Sequence, residues 1–189
     1  VFGVFTIVVF FLVEKYVAKY PVIPARLFKR RTSVLSFAVS FCHGFTFISG
    51  SYYLPLYFQG VLGASPLLSG VYILPHALAL SFVSAGTGLW MKKTGKYLPA
   101  IVFGMFVMTL GFGLFIDLPR GNDWAKIIIY QIIAGIGVGP NFQAPLIAVQ
   151  SAVEPRDIAS ATSAFGFVRQ LATSISVVIG GVVFQNQMQ

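Results

Sequence analysis

The stretch PARLFKRRTSVLSFAVSFCHGFTFISGSYYLPLYF, residues 24–58, joins a basic segment directly to a long apolar run. A helix needs about 20 mostly apolar residues to cross a hydrocarbon core of about 30 Å, and residues 34–58 meet that requirement. Comparable apolar runs recur to the end of the chain. We therefore predict the end of a preceding transmembrane helix and five complete spans, at residues 1–13, 34–58, 67–90, 97–116, 125–150 and 160–184.

The composition of the 189-residue chain agrees with a membrane protein. Hydrophobic residues make up 57% and charged residues 10%, against roughly 45 to 50% and about 25% in soluble domains. Backbone groups in lipid find no water to bond, so only helices or closed barrels cross a bilayer. The sequence lacks the ten-residue alternating segments of a barrel. The predicted fold class is an all-α integral membrane protein, a bundle of several spanning helices.

Basic residues fill alternate gaps between the spans, and this predicts the orientation of the chain. Cytoplasmic loops carry the surplus of Lys and Arg, so we place the linker at 14–33 and the loops at 91–96 and 151–159 in the cytoplasm. The apolar spans divide the basic residues behind the net charge of +8 among separate loops. These loops cannot form one continuous nucleic-acid-binding face. Residues 21–31 are amphipathic and are expected to lie along the headgroups, with a solvated loop as the alternative.

Polar and small residues recur at helical spacing within span 34–58, where lipid does not select for them. The steps of three and four residues place them on one helix face, which we expect to point away from lipid. His43 is then a contact for a proton or substrate, or it bonds to a carbonyl group of a neighbouring helix. The set consists of Ser36, Ser40, His43, Thr46, Gly50, Tyr53 and Tyr57.

The last span carries a similar face, and its Arg169 is the most costly residue in any predicted span. A charge near the middle of the membrane costs several kcal/mol unless it is hydrated or paired. Such a residue is therefore a candidate for a functional role. We favour an Arg169 that faces a cavity. The alternative is a side chain that reaches back to Glu154 or Asp157. The face comprises Thr162, Gly166, Arg169, Thr173, Ser176 and Gly180.

Span 125–150 combines two prolines with a face of amides and glycines. Proline interrupts the hydrogen bonds of a membrane helix, so we expect Pro140 and Pro145 to disturb it. Gly135 and Gly139 form a GxxxG step, which favours close packing against another helix. The polar face contains Gln131, Gly135, Gly139, Gln143 and Gln150.

The residues needed for catalysis or metal binding are not grouped in the sequence. All five acidic residues lie in the predicted loops, and Cys42 is the single cysteine. His76 has no second ligand in register and is expected to be a hydrogen-bonded interior histidine. An enzyme within the membrane would need a nucleophile, a base or a metal at depth. We therefore expect neither enzymatic activity, nor a cofactor, nor a metal site.

Several groups of residues form recognisable motifs. Residues 88–97, GLWMKKTGKY, resemble a cytoplasmic loop pattern GxxxDRxGRR, with Gly88, Lys93, Gly95 and Lys96 in matching positions. Residues 131–137, QIIAGIG, resemble an RxxQGxG pattern with Gln131 in the place of Arg. The more specific segments are PARLFKRRT (24–32), NFQAPL (141–146), FVRQL (167–171) and IGG (179–181). Through these motifs the chain resembles the major facilitator superfamily, in particular its fourteen-helix drug:proton antiporter branch and the fungal multidrug and toxin efflux pumps.

The resemblance implies a partial major facilitator fold, an incomplete second six-helix bundle at 34–189 in a fragment of a longer protein. It implies proton-coupled efflux by alternating access, with the bilayer, a small amphipathic substrate, protons and the missing N-terminal bundle as partners. The cavity candidates are then His43, Tyr53, Tyr57, Gln143 and Arg169, and Gly135, Gly139 and Gly180 pack helices. The plasma membrane is the expected location, with the vacuolar membrane as the alternative. A truncated, non-transporting interaction protein or a dead gene fragment is the competing interpretation.

Overall fold

The structure is a computed structural model that describes residues 2–16, 27–28, 30–118 and 123–187. Eight α-helices account for most of these residues, and no strand occurs within the described ranges. The helices are α1 (Phe2–Tyr16), α2 (Arg31–Gly60), α3 (Pro66–Tyr72), α4 (Leu74–Thr94), α5 (Leu98–Leu114), α6 (Trp124–Val138), α7 (Pro140–Ala152) and α8 (Ile158–Gln187). The predicted all-α class is confirmed.

Five helical segments are long and apolar enough to cross a membrane. They are Arg31–Gly60, Pro66–Thr94, Leu98–Asp117, Trp124–Ala152 and Pro155–Asn186, and most extend past the predicted spans by a few residues. Most of the linker predicted at 14–33, including residues 17–26 and 29, lies outside the described residues, as does the loop at 119–122.

Prolines divide two of the spans. The second span is split at Ile73, two residues before Pro75, and the fourth is split at Gly139, directly before Pro140. A proline has no N–H for the carbonyl group four residues earlier, so the regular bonding of the helix is interrupted there. Pro145, in contrast, lies inside the continuous helix α7. The predicted disturbance therefore occurs at Pro140 and not at Pro145.

The fourth span, α6 with α7, occupies the centre of the bundle. It is the most buried of the five spans and contacts α2, α4, α5 and α8. Its apolar core has two parts towards the α7 end, one against α2 and α8 and the other against α4 and α5. A third cluster around Phe58 and Ile127 joins α2 to the start of α6. The central span thus positions every other spanning helix.

Glycine gives α6 its close approach to α4. A Cβ atom placed on Gly135 would lie 2.6 Å from the carbonyl oxygen of His76, and one on Gly139 would lie 2.9 Å from the backbone nitrogen of Ser84. Backbone atoms cannot rotate away as a side chain can, so both positions require a residue without a side chain. The GxxxG step of the sequence lies on this α4–α6 contact.

The turn after α4 depends on a left-handed residue. Gly95 has φ 67° and its N–H donates to the carbonyl oxygen of Met91 over 2.8 Å. Left-handed glycine is the common way to end a helix, since other residues have a Cβ clash there. Gly95 therefore has a structural reason to occupy its place in the loop motif. Lys92 and Lys93 belong to the last turn of the helix, and both are exposed.

Candidate functional site

Arg169 lies in the middle of α8 and packs against α2 and α7. It stands eleven residues after the first residue of α8, which corresponds to about 16 Å along the helix axis. Its guanidinium carbon is 4.0 Å from the centre of the Phe142 ring. Neither of the two ion pairs that join described residues includes Arg169. The aromatic ring is therefore the contact that the structure shows for this charge, and not Glu154 or Asp157.

Gly44 makes room for the stem of Arg169. A Cβ atom on Gly44 would lie 3.3 Å from Cγ of Arg169 and 3.4 Å from its carbonyl oxygen. The aliphatic part of an arginine packs well on such a small surface while the charged end extends beyond it. Gly44 thus decides how close α8 lies to α2 at the level of the charge.

His43, on α2, is buried next to the ring of Phe142. The His43 and Phe142 rings meet edge to face with centroids 5.1 Å apart, and Nε2 of His43 is 3.3 Å from the carbonyl oxygen of Val138. Its side chain is 1% exposed. The sequence allowed two roles for His43, a contact for a proton or substrate or a hydrogen bond to the carbonyl group of a neighbouring helix. The structure shows the hydrogen-bonding geometry of the second role. We call Arg169, Phe142 and His43 the mid-span cluster.

The two tyrosines of the α2 face lie further towards the α3 end of α2. Tyr53 donates to the carbonyl oxygen of Val177 over 2.9 Å, and its ring covers Gly180. Gly180 therefore makes space for Tyr53 and brings α2 close to α8. Tyr57 packs against the cluster formed by Leu54, Phe58 and Ile127. These contacts of Tyr53 and Tyr57 are with residues outside the mid-span cluster.

Gln143 lies on a different side of α7 from the mid-span cluster. Its side chain is exposed, and its Oε1 would be 3.5 Å from a Cβ atom placed on Gly88 of α4. Gln150, two turns later, donates to the hydroxyl of Thr162 over 3.0 Å and so joins α7 to α8. The five predicted cavity residues are consequently distributed along α2, α7 and α8, and two of them, His43 and Arg169, meet at the ring of Phe142.

Two contributors to this site were missing from the prediction. The ring of Phe142 contacts the guanidinium group of Arg169. The helix faces were identified from polar and small residues, and an aromatic residue in an apolar helix does not stand out by that criterion. Gly44 follows His43 directly and falls just outside the polar face that the spacing defined. A small residue next to a polar one could have indicated this position, because close helix approach in membranes favours small residues.

His76 and Gln131 form a second polar contact, between α4 and α6. Nδ1 of His76 is 3.2 Å from the carbonyl oxygen of Gln131, as expected for an interior histidine. The side-chain amide of Gln131 is fully buried and has no hydrogen-bond partner among the described residues. No group of three or more potential metal ligands was found in the described ranges.

The sequence model of the Major Facilitator Superfamily matches residues 1–177. Over all 189 residues the chain is 54% identical to the efflux pump dotC of Dothistroma septosporum. It is 51% identical to the MFS-type transporter ppz2 of Metarhizium majus over 188 residues, and 33% identical to the efflux pump FUS6 of Gibberella moniliformis over 189 residues. Each alignment covers 100% of this chain and, respectively, 33%, 32% and 34% of the relative.

The chain thus spans about one third of the length of these curated relatives. The family match covers most of the sequence, and five spanning helices form a bundle of the expected class. The recognition made from the motifs is confirmed: the chain is an integral membrane protein that belongs to the Major Facilitator Superfamily.

Proposed function

We propose that this chain forms part of the second bundle of a proton-coupled efflux transporter for amphipathic compounds. The remaining helices of such a transporter, including the first bundle, would complete the path, and the two bundles would alternate access about a site near the midplane. Relatives named as efflux pumps support this proposal. So does the family to which the chain belongs, which gives no reason to expect catalysis.

The observation that carries the proposal is the position of Arg169 at mid-span on the ring of Phe142. An arginine at the centre of a membrane helix costs roughly 2.5 to 3.5 kcal/mol on insertion scales. A cation over an aromatic ring recovers about 0.5 to 2 kcal/mol, according to how far it is desolvated, so the cost is only partly offset. Arg169 is half-buried, which leaves part of the charge available to a substrate or to water in a cavity.

We propose that the mid-span cluster forms part of the wall of the transport path. Arg169 would attract electron-rich or anionic groups of the substrate, while Phe142 offers an aromatic surface to its apolar part. His43 is the titratable group next to the ring and the candidate for contact with protons in this half. Tyr53, Tyr57 and Gln143 are proposed to line other parts of the same path.

The proposed location is the plasma membrane, or else the vacuolar membrane. The loops near 91–96 and 151–159, and the linker at 14–33, would face the cytoplasm. This orientation follows from the basic residues of those segments. Glu154 and Arg156, which form an exposed ion pair at 2.9 Å, would then lie at the cytoplasmic end of α8.

The test is the replacement Arg169→Ala in a complete transporter that contains this chain. Efflux of rhodamine 6G from yeast that lacks its own drug pumps should fall sharply, while the amount of transporter in the membrane stays the same. Phe142→Leu retains an apolar side chain but removes the ring, and a smaller loss is expected. Arg156→Ala is the matched control for the removal of an arginine. Normal efflux by Arg169→Ala at normal abundance would exclude the proposed role.

A further inference from the structure

A groove of about 580 Å³ runs along the outer surface of the bundle between α4 and α5. On α4 its wall contains Phe82, Gly86 and Trp90, which are spaced one turn apart and therefore lie on one face. On α5 the opposite wall contains Pro99 and Phe103. We call this feature the α4–α5 groove.

The groove is almost entirely apolar and is open along its length. Thr87 is the polar side chain among its lining residues, and Phe82, Trp90 and Phe103 are all exposed. Nothing lies within 4 Å of a Cβ atom placed on Gly86, so the missing side chain deepens the groove midway along it. Such a surface matches a flexible hydrocarbon chain better than a polar or rigid ligand.

One end of the groove leads directly to a group of cations. Lys93 lies one turn beyond Trp90 on the same face of α4, next to Lys92. Lys96 follows two residues after the end of the helix and lines the adjoining groove between α2 and α5, which shares Pro99 with the α4–α5 groove. All three side chains are exposed, and no ion pair joins them to another described residue. A tryptophan between an apolar surface and a row of lysines is typical of the boundary between hydrocarbon and headgroups.

We infer that the α4–α5 groove binds an anionic phospholipid of the leaflet that faces Lys93. One acyl chain would lie along Gly86 as far as Phe82, and the phosphate and acidic headgroup would bind Lys93 and Lys96. The charge selects this occupant: basic pockets between membrane helices bind acidic headgroups, whereas a neutral lipid or sterol would leave the lysines without a counter-charge. The inference concerns binding and does not depend on transport activity.

The chain supplies its own reporter for the test. It contains two tryptophans: Trp90 in the groove, and Trp124 at the start of α6, by the opposite end of the bundle. Trp124→Phe leaves Trp90 as the single fluorophore. The protein is placed in phosphatidylcholine bilayers that contain a fixed minor fraction of either dibrominated phosphatidylserine or dibrominated phosphatidylcholine. Bromine atoms quench a tryptophan only on contact, so quenching measures which lipid occupies the groove.

Brominated phosphatidylserine should quench Trp90 more strongly than brominated phosphatidylcholine, with a preference of about fivefold for each lysine near the headgroup. Lys93→Gln with Lys96→Gln should abolish this preference, and Lys93→Arg should retain it. Gly86→Leu fills the groove and should remove the preference, while Gly113→Leu, at another open glycine on the surface, should leave it unchanged.

Equal quenching by the two lipids in the unmodified groove would overturn the inference. A preference that survives the double lysine replacement, or survives Gly86→Leu, would also overturn it. A benzoylphenylalanine at Phe103 provides an independent measurement in a complete transporter. It should cross-link to lipid there, and cross-linking to another helix instead would show that protein covers the groove.

Discussion

The replacement Gly135→Ala tests the close contact between α4 and α6. The added Cβ atom would lie 2.6 Å from the carbonyl oxygen of His76 and 2.9 Å from Cβ of Ala79. Ordinary contact begins near 3.4 Å, so the helices must separate by about 0.8 Å, which forfeits a quarter to a half of the dispersion attraction at that interface. Overpacking of this kind costs about 1 to 3 kcal/mol.

The separation should also weaken the 3.2 Å contact between His76 and the carbonyl oxygen of Gln131, for about a further 1 kcal/mol. The higher helix propensity of alanine offsets about 1 kcal/mol. We therefore expect Gly135→Ala to lower the free energy of unfolding by about 2 kcal/mol. Unfolding by SDS in mixed micelles, followed by tryptophan fluorescence, measures this change.

Gly113→Ala is the matched control, since a Cβ atom on Gly113 meets nothing within 4 Å. It should change the free energy of unfolding by no more than about 0.5 kcal/mol. Ala79→Gly in the Gly135→Ala background removes one of the three close contacts and should restore part of the loss. Equal stability of Gly135→Ala and Gly113→Ala would refute the close α4–α6 contact.

Two further outcomes follow from the α2–α8 contact and from the orientation. Tyr53→Phe removes the 2.9 Å hydrogen bond to the carbonyl oxygen of Val177 and should destabilise the protein by about 1 kcal/mol in the same SDS titration; no change would mean that the bond adds nothing to stability. In a background without Cys42, a cysteine at Thr94 should react with an impermeant thiol reagent only after cells are opened. One at Gly121 should react in intact cells, and the reverse pattern would invert the predicted topology.

The fold class was predictable because lipid imposes a strong constraint on sequence. Every spanning segment must satisfy its own backbone hydrogen bonds and present apolar side chains, so hydropathy alone identifies the helices. The interruption of the second span at Ile73 was harder to predict from the sequence. Pro75 was visible in the sequence, but Pro145 lies within a continuous helix and Pro55 lies within α2. Whether a proline splits a helix depends on how neighbouring helices satisfy the freed carbonyl group.

The candidate site was less predictable than the fold for a geometric reason. A period of three and four residues assigns a residue to a helix face, but it does not say which helix packs on that face. His43 and Tyr57 share a face of α2, yet His43 meets Phe142 of α7, whereas Tyr57 packs near Ile127 of α6. The order of helices around the bundle decides these neighbours, and it depends on contacts between distant parts of the chain.

The glycines of the central span have a mechanical consequence. On one side of α6, Gly135 abuts the backbone of α4, and on the other side Gly137 abuts the backbone of α5 at Met108. Backbones in direct contact have no long side chains between them to bend, so we expect α4, α5 and α6 to move as one stiff plate. The α2–α8 contact also contains glycines, but there they face the flexible stem of Arg169 and the ring of Tyr53. Any hinge within this half should therefore open along α2 and α8, where the arginine lies.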